Sequence, residues 1–150
     1  MLLLLFQVDD RAFGLDASGI VQVAPLPELQ PVPHAPPYVA GLLNYRGRTI
    51  PVMDLTRLIG GRRSRPVLST RLVLAHYPPG GDDCVVGLIA ERAVETITCN
   101  ESDFTAPGIQ VPDAPYLGRT AIVNGRIIQQ ITVEEAVGEE ARALLLSHQP

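Results

Sequence analysis

The sequence contains no tryptophan, and aromatic residues make up only 5% of its 150 positions. Because hydrophobic residues still account for 46%, the core must be aliphatic, built from Leu, Val, Ile and Ala. No apolar run approaches the ~20 residues that a membrane-spanning helix needs. Two cysteines, Cys84 and Cys99, are too few for a disulfide framework, which predicts a reduced, cytoplasmic protein.

The sequence also lacks clusters of basic residues. Its formal net charge is −4, and the 12 basic residues are scattered along the chain. A nucleic-acid partner is therefore not expected, since binding to phosphates requires clustered Lys and Arg. The apolar start MLLLLFQV has no basic leader and runs into Asp9-Asp10, so it predicts a buried first strand rather than a signal peptide, and no membrane insertion.

No catalytic or metal-binding pattern stands out. The histidines have no nucleophile at an interpretable spacing, there is no Gly-x-Ser-x-Gly elbow, and the cysteines match no zinc pattern. The segment Gly80–Asp83 imitates the start of the diguanylate cyclase signature, but it follows Pro78-Pro79 between two strands and is interpreted as a hairpin loop. We expect no enzyme, cofactor or metal.

Glycine and proline are abundant, with 13 and 14 residues, which favours short strands and frequent turns over long helices. The central prediction is a β-hairpin, because the apolar runs Gly41–Tyr45 and Thr49–Met53 flank the spacer Arg46-Gly47-Arg48. Gly47 accepts the positive φ that such a turn needs. Asp54 then precedes LTRLIGG as the N-cap of a short helical turn.

Further elements follow from the same signals. Strands are predicted at Leu2–Val8, Ala12–Leu15, Arg71–Tyr77 and Cys84–Ile89, a helical turn at Ala17–Val21, a Pro-rich loop at Pro25–Pro37, a linker at Gly60–Pro66, and a C-terminal helix at about 134–147.

Two parts of the chain repeat each other. Gly14-Leu15 matches Gly87-Leu88 at an offset of 73, and Gly47-Arg48 matches Gly125-Arg126 at an offset of 78. We interpret this as two copies of one strand-rich unit, about residues 1–62 and 67–137, which suggests two small barrels packed together. The alternative is a chance alignment of aliphatic β sequences.

The two predicted hairpin tips differ in a way that points to function. The first reads NYRGRT and the second IVNGRI, so the fold does not require Arg46. Arginine is favoured at protein interfaces. A mean hydropathy of +0.17 implies exposed apolar surface of the kind that marks partner sites. Binding is favoured for Arg46 over the alternative, an internal salt bridge.

The segment from Pro33 to Leu55 reads P-x-x-P-x-Y-V-x-G-L-x-N-x-R-G-x-x-I-P-V-x-D-L and resembles the signature of CheW-type chemotaxis coupling proteins. The stretch GLIAERAVETI from Gly87 is similar to the second block of that family, and the resemblance covers about residues 2–137. It implies a mainly β fold: a single CheW-like domain of two small five-stranded β-barrels packed around a shared hydrophobic core, with a short C-terminal helix. It also implies a non-enzymatic adaptor that joins the cytoplasmic tip of a methyl-accepting chemoreceptor to the regulatory domain of the histidine kinase CheA, which has the same fold.

The resemblance assigns protein-binding residues position by position. Ile20, Gly41 and Gly87 would line a groove that accepts the receptor's helical hairpin, and Arg46 would take part in coupling. The turn scaffold is matched by Asn44, Gly47, Pro51 and Asp54.

The chain departs from the family at several positions. Gln22 stands where a glutamate that can pair with the turn arginine is common, Thr132 replaces an acidic residue, Glu91 replaces an aspartate, and Tyr45 replaces a leucine. These departures raise the alternative of a regulatory module in a surface-sensing, Wsp-like pathway that controls a diguanylate cyclase response regulator.

Overall fold

The computed structural model describes residues 1–77, 84–106, 109 and 112–138 of the chain. Within these residues the chain forms ten strands, one short α-helix and two short 3₁₀ turns. Residues 133–138, the last ones described, are also helical. The strands are β1 (Leu2–Val8), β2 (Arg11–Asp16), β3 (Ile20–Pro25), β4 (Val39–Tyr45), β5 (Arg48–Asp54), β6 (Arg71–His76), β7 (Val85–Thr98), β8 (Phe104–Thr105), β9 (Leu117–Val123) and β10 (Arg126–Ile131). Helix α1 spans Leu55–Gly60, and the 3₁₀ turns span Ala17–Gly19 and Glu101–Asp103.

The long strand β7 joins two groups of strands. In lobe 1, which we define as β3, β6, the first half of β7, β5 and β4, the strands pair in that order. In lobe 2, the second half of β7 is followed by β1, β2, β10, β9 and β8. The mainly β fold class predicted from the sequence is confirmed.

Three clusters of buried apolar side chains explain the two lobes. Lobe 1 has an inner cluster of Ile50, Val52, Leu72, Leu74 and Ile89. Lobe 2 has its own, of Leu3, Leu5, Ala12, Cys99, Phe104, Ala121 and Ile128. The largest cluster includes Phe6, Phe13, Met53, Leu88 and Ile131 and draws on strands of both lobes, so it is the shared hydrophobic core. Strands such as β1 alternate side chains between an inner and the shared cluster, which is why they read as nearly continuous apolar runs.

The lobes do not coincide with the predicted repeats of about 1–62 and 67–137. Strand β5 of the first repeat pairs in parallel with β7 of the second through Val52 and Gly87, and β10 of the second pairs in parallel with β2 of the first through Gln130 and Gly14. Val52 of the first pair and Gln130 of the second are 78 positions apart, and Gly14 and Gly87 are 73 positions apart, which are the offsets of the sequence repeat. Each lobe is therefore built from strands of both repeats, and the division of the chain into repeats stays a prediction about the sequence.

Several local predictions need adjustment. The helical turn expected at Ala17–Val21 ends at Gly19, and the next residues form β3 because their alternating Val side chains suit a strand. Pro51 lies inside β5, one residue before the ladder with β7 begins at Val52, so its missing N–H breaks no ladder hydrogen bond there. The hairpin loop predicted around Gly80–Asp83 and the part of the predicted helix beyond residue 138 lie outside the described residues.

Candidate functional site

The β4–β5 hairpin forms where the sequence predicts it, but its turn has two residues, because Arg48 of the predicted three-residue spacer already belongs to β5 and pairs with Tyr45. Arg46 and Gly47 have φ values of +53° and +81°, as a two-residue hairpin turn of the right twist requires. The Asn44 side-chain oxygen accepts a hydrogen bond of 3.0 Å from the Gly47 N–H, which fixes the turn. Asn44 and Gly47 therefore shape the tip, and Arg46 lies exposed within the turn.

The Arg46 side chain is exposed and contacts an aromatic ring. Its guanidinium carbon lies 5.2 Å from the centroid of the Tyr45 ring, within the range of a cation–π interaction. Among the described residues Arg46 makes no ion pair and no side-chain hydrogen bond, and Gln22 on β3 does not bond to it. The internal salt bridge considered for Arg46 is thus not present in the described part of the chain.

The two glycines assigned to the groove floor lie inside the packed protein. A Cβ atom on Gly41 would lie 2.6 Å from the backbone oxygen of Gln30, because the Pro-rich segment bridges to β4 at Leu42. A Cβ on Gly87 would lie 2.8 Å from the Val52 side chain. Both positions need glycine for packing within the chain, so their surroundings do not favour a role as the floor of an open groove.

Ile20 begins β3, an outer strand of lobe 1. Its side chain is half-buried and packs against the shared core. The following residues, Val21 and Val23, are each 40% exposed on either side of the exposed Gln22. Sequence reasoning missed this apolar strand edge, because the VQV alternation was read as the end of a helical turn.

Asp54 is buried and serves the fold. Its carboxylate accepts hydrogen bonds from the N–H groups of Thr56 and Arg57 and so caps α1. It also accepts from the Ser64 N–H at 2.9 Å and the Ser64 hydroxyl at 2.6 Å. With its oxygens occupied in this way, Asp54 anchors the predicted linker to β5 and is not accessible to a partner.

A second anchor of the linker escaped sequence reasoning. The Arg62 guanidinium donates to both oxygens of Glu91 at 2.9 Å, and the Arg65 N–H donates to Glu91 at 2.7 Å. Arg62 also reaches Asp9 at 3.1 Å. We call this group the linker clasp. The Arg62 contact above all lowers the pKa of Glu91, although burial by itself would raise it.

The second hairpin, β9–β10, has the same turn conformation as the first but carries different side chains. Asn124 and Gly125 have φ values of +52° and +78°. Ile122 and Ile127 face each other across the strands and are 71% and 67% exposed. Part of the exposed apolar surface that the sequence predicts therefore lies on this hairpin and on β3.

The predicted binding residues thus separate into two sets. Asn44, Arg46 and Gly47 lie together at the exposed tip of the first hairpin. The other four lie at buried or half-buried positions of the same lobe: Ile20, Gly41, Asp54 and Gly87. Of these seven residues, Arg46 is the charged one whose side chain has no hydrogen bond or ion pair with any other described residue.

Residues 2–141 match the family model described as "CheW-like domain". The chain belongs to the CheW-like domain family. The chemotaxis protein CheW of Rhizobium meliloti is 25% identical over 93% of this chain and 89% of its own length. The chemotaxis protein CheW of Thermotoga maritima is 30% identical over 88% of this chain and 90% of its own.

A solved structure supports the fold. The scaffolding protein TtCheW from Thermoanaerobacter tengcongensis matches with a TM-score of 0.80 at 20% identity, covering 93% of this chain and 89% of that one. Both curated relatives are named as chemotaxis proteins, which does not favour the surface-sensing alternative. In the part of the chain that the structure describes, no helix is long and apolar enough to cross a membrane.

Proposed function

We propose that this CheW-like protein is a non-enzymatic chemosensory adaptor that couples the cytoplasmic tip of a methyl-accepting chemoreceptor to the regulatory domain of a CheA-type histidine kinase. Membership of the family supports the scaffold role. In this proposal the protein acts in the cytoplasm, next to membrane receptor arrays.

The observation that carries the proposal is the exposed arginine on a hairpin tip whose turn is held by a side-chain hydrogen bond. The Arg46 guanidinium has no acidic partner among the described residues, while the turn beneath it is fixed by Asn44 and Gly47. A guanidinium presents its N–H groups as a planar fork that pairs with carboxylates through two parallel hydrogen bonds. Arg46 is therefore suited to bind an acidic side chain of a partner protein.

The apolar edge of β3 provides a second contact on the same lobe. Ile20 is half-buried there, and Val21 and Val23 are partly exposed. An amphipathic helix of a receptor binds by laying its apolar face against such a surface. In this proposal Ile20 contributes to receptor binding, whereas Gly41, Gly87 and Asp54 contribute by holding the lobe in shape.

Charge reversal at Arg46 tests the proposal. We expect Arg46→Glu to weaken binding to a purified CheA-type kinase and to a chemoreceptor cytoplasmic fragment from the same organism by about tenfold or more, because like charges at an interface repel. Isothermal titration calorimetry measures the affinities, and reconstituted receptor-dependent kinase activity measures coupling.

The matched control is Arg126→Glu, which makes the same charge change at the exposed tip of the second hairpin. It should leave both affinities near those of the unmodified protein. Thermal unfolding of both variants should also match the unmodified protein, since neither arginine is buried. If Arg46→Glu binds both partners normally, the proposed site is wrong; if it unfolds at a clearly lower temperature, Arg46 is structural.

A further inference from the structure

Tyr45 connects the exposed arginine to the interior of lobe 1. It is the last residue of β4, and its half-buried side chain packs against the inner cluster that contains Ile50 and Val52. The same ring lies under the guanidinium of Arg46, at 5.2 Å from ring centroid to guanidinium carbon. The Tyr45 side chain, which packs against the inner cluster, therefore also contacts the exposed side chain of Arg46.

The turn itself requires neither the ring nor the cation. At the matching positions of the second hairpin stand Val123 and Asn124, and the backbone adopts the same pair of positive φ values there. The Tyr45–Arg46 contact is thus an addition to a hairpin that forms without it. Features that the fold does not need are candidates for function.

The contact leaves the guanidinium chemically available. A cation–π contact engages the flat face of the guanidinium, while its N–H donors lie in the plane and point outward. No carboxylate of the described residues pairs with Arg46. The donors are held in place and still unoccupied.

We propose that Tyr45 is a positioning residue for Arg46, holding the guanidinium so that its N–H edge meets a carboxylate on an acidic segment of the docking protein. This inference rests on the proposed function, because it takes Arg46 as the binding residue. Holding a long side chain in its bound orientation before docking reduces the entropy lost on binding, so Tyr45 contributes to affinity without touching the partner.

Two substitutions of Tyr45 separate its ring from its hydroxyl. Tyr45→Leu should weaken binding to the CheA-type kinase regulatory domain or to the receptor fragment by about two- to fivefold, the range of an exposed cation–π contact. Tyr45→Phe keeps the ring face and should bind like the unmodified protein. Calorimetric titration at low and moderate salt gives the affinities, and thermal unfolding confirms that each variant is folded.

A double-mutant cycle shows whether Tyr45 acts through Arg46. In an Arg46→Gln background, Tyr45→Leu should cause no further loss of affinity, since the cation is gone. In the free protein, the NMR signals of the Arg46 δ protons should lose their ring-current shift in Tyr45→Leu and keep it in Tyr45→Phe. A merely structural role of Tyr45 would not produce this pattern.

The outcomes are distinguishable. If Arg46→Gln weakens binding and Tyr45→Leu does not, the inference is overturned while the proposed function stands. If Tyr45→Leu weakens binding equally with and without Arg46, Tyr45 contacts the partner itself and the positioning role is wrong. If Arg46→Gln binds normally, both the site and the inference fail.

Discussion

Val52 on β5 has a glycine as its paired residue on each of the two adjacent strands of lobe 1. It pairs with Gly41 on β4 and with Gly87 on β7. The branched side chain of Val52 fills the space above Gly87, and Gln30 of the Pro-rich segment fills the space above Gly41. At the scale of single residues, glycine is thus required here by close contacts within the chain, which a sequence pattern cannot distinguish from an open binding groove.

Substitution of Gly41 should therefore affect stability directly. We expect Gly41→Val to lower the free energy of unfolding by about 1–3 kcal/mol, because the added carbons overlap the Gln30 backbone and the residue has a φ of +153°. Chemical denaturation measures the change. Gly19→Val is the control, since a Cβ at Gly19 meets no atom within 4 Å. Unchanged stability of Gly41→Val would show that the space is open.

At the scale of elements, the predicted linker Gly60–Pro66 is held to the rest of the fold by side-chain contacts. The segment GGRRSRP has the composition of a loose connection, yet Asp54 holds Ser64 and Glu91 holds Arg62 and the Arg65 backbone. Partners at positions 54 and 91 are distant in sequence from Gly60–Pro66. Arg62 and the backbone of Arg65 in the predicted linker are therefore committed to contacts within the chain.

The linker clasp predicts a pH dependence. The pKa of Glu91 in the folded protein lies below its ordinary value near 4.5, so the contribution of Glu91 to stability is fully present above that value. It is lost as the pH falls from about 4.5 through the folded-state pKa. Glu91→Gln should lower stability at pH 7 and flatten the loss of stability on acidification. Urea unfolding at a series of pH values measures both effects.

Glu95 offers a matched control for that experiment. It is an exposed glutamate of the same strand with no ion pair among the described residues, so Glu95→Gln should leave the pH profile nearly unchanged. An unaltered profile in Glu91→Gln would mean that the clasp does not stabilise the folded state.

At the scale of the whole molecule, the two lobes are held together by exchange of strands. Within the described residues, four strand pairings join one repeat to the other. Two are parallel, β5 with β7 and β10 with β2. Two are antiparallel, β1 with β7 and β3 with β6. The shared core adds apolar contacts from both. The lobes should therefore unfold together rather than as independent domains.

Fragments of residues 1–62 and 67–137 test this prediction. Neither fragment should fold alone, because each lacks the partner strands for both lobes. Circular dichroism and NMR dispersion should show largely unfolded fragments, while the intact protein unfolds in one cooperative transition. A fragment of residues 1–62 that unfolds cooperatively by itself would contradict the exchanged topology.

The sequence alone determined the local chemistry of this protein. Apolar runs predicted most strands, the spacer around Gly47 predicted the hairpin, and Asp54 predicted the helix cap. These features depend on residues close together in the chain. The family resemblance was confirmed by the match over residues 2–141.

The tertiary structure decided which surfaces are available. Only folding brings together or orients the residues involved in four features. These are the exchange of strands, the packing above Gly41 and Gly87, the linker clasp, and the position of Tyr45 beneath Arg46. Burial and exposure are properties of the packed chain, so an arginine free to bind can be recognised only after every internal partner has been located.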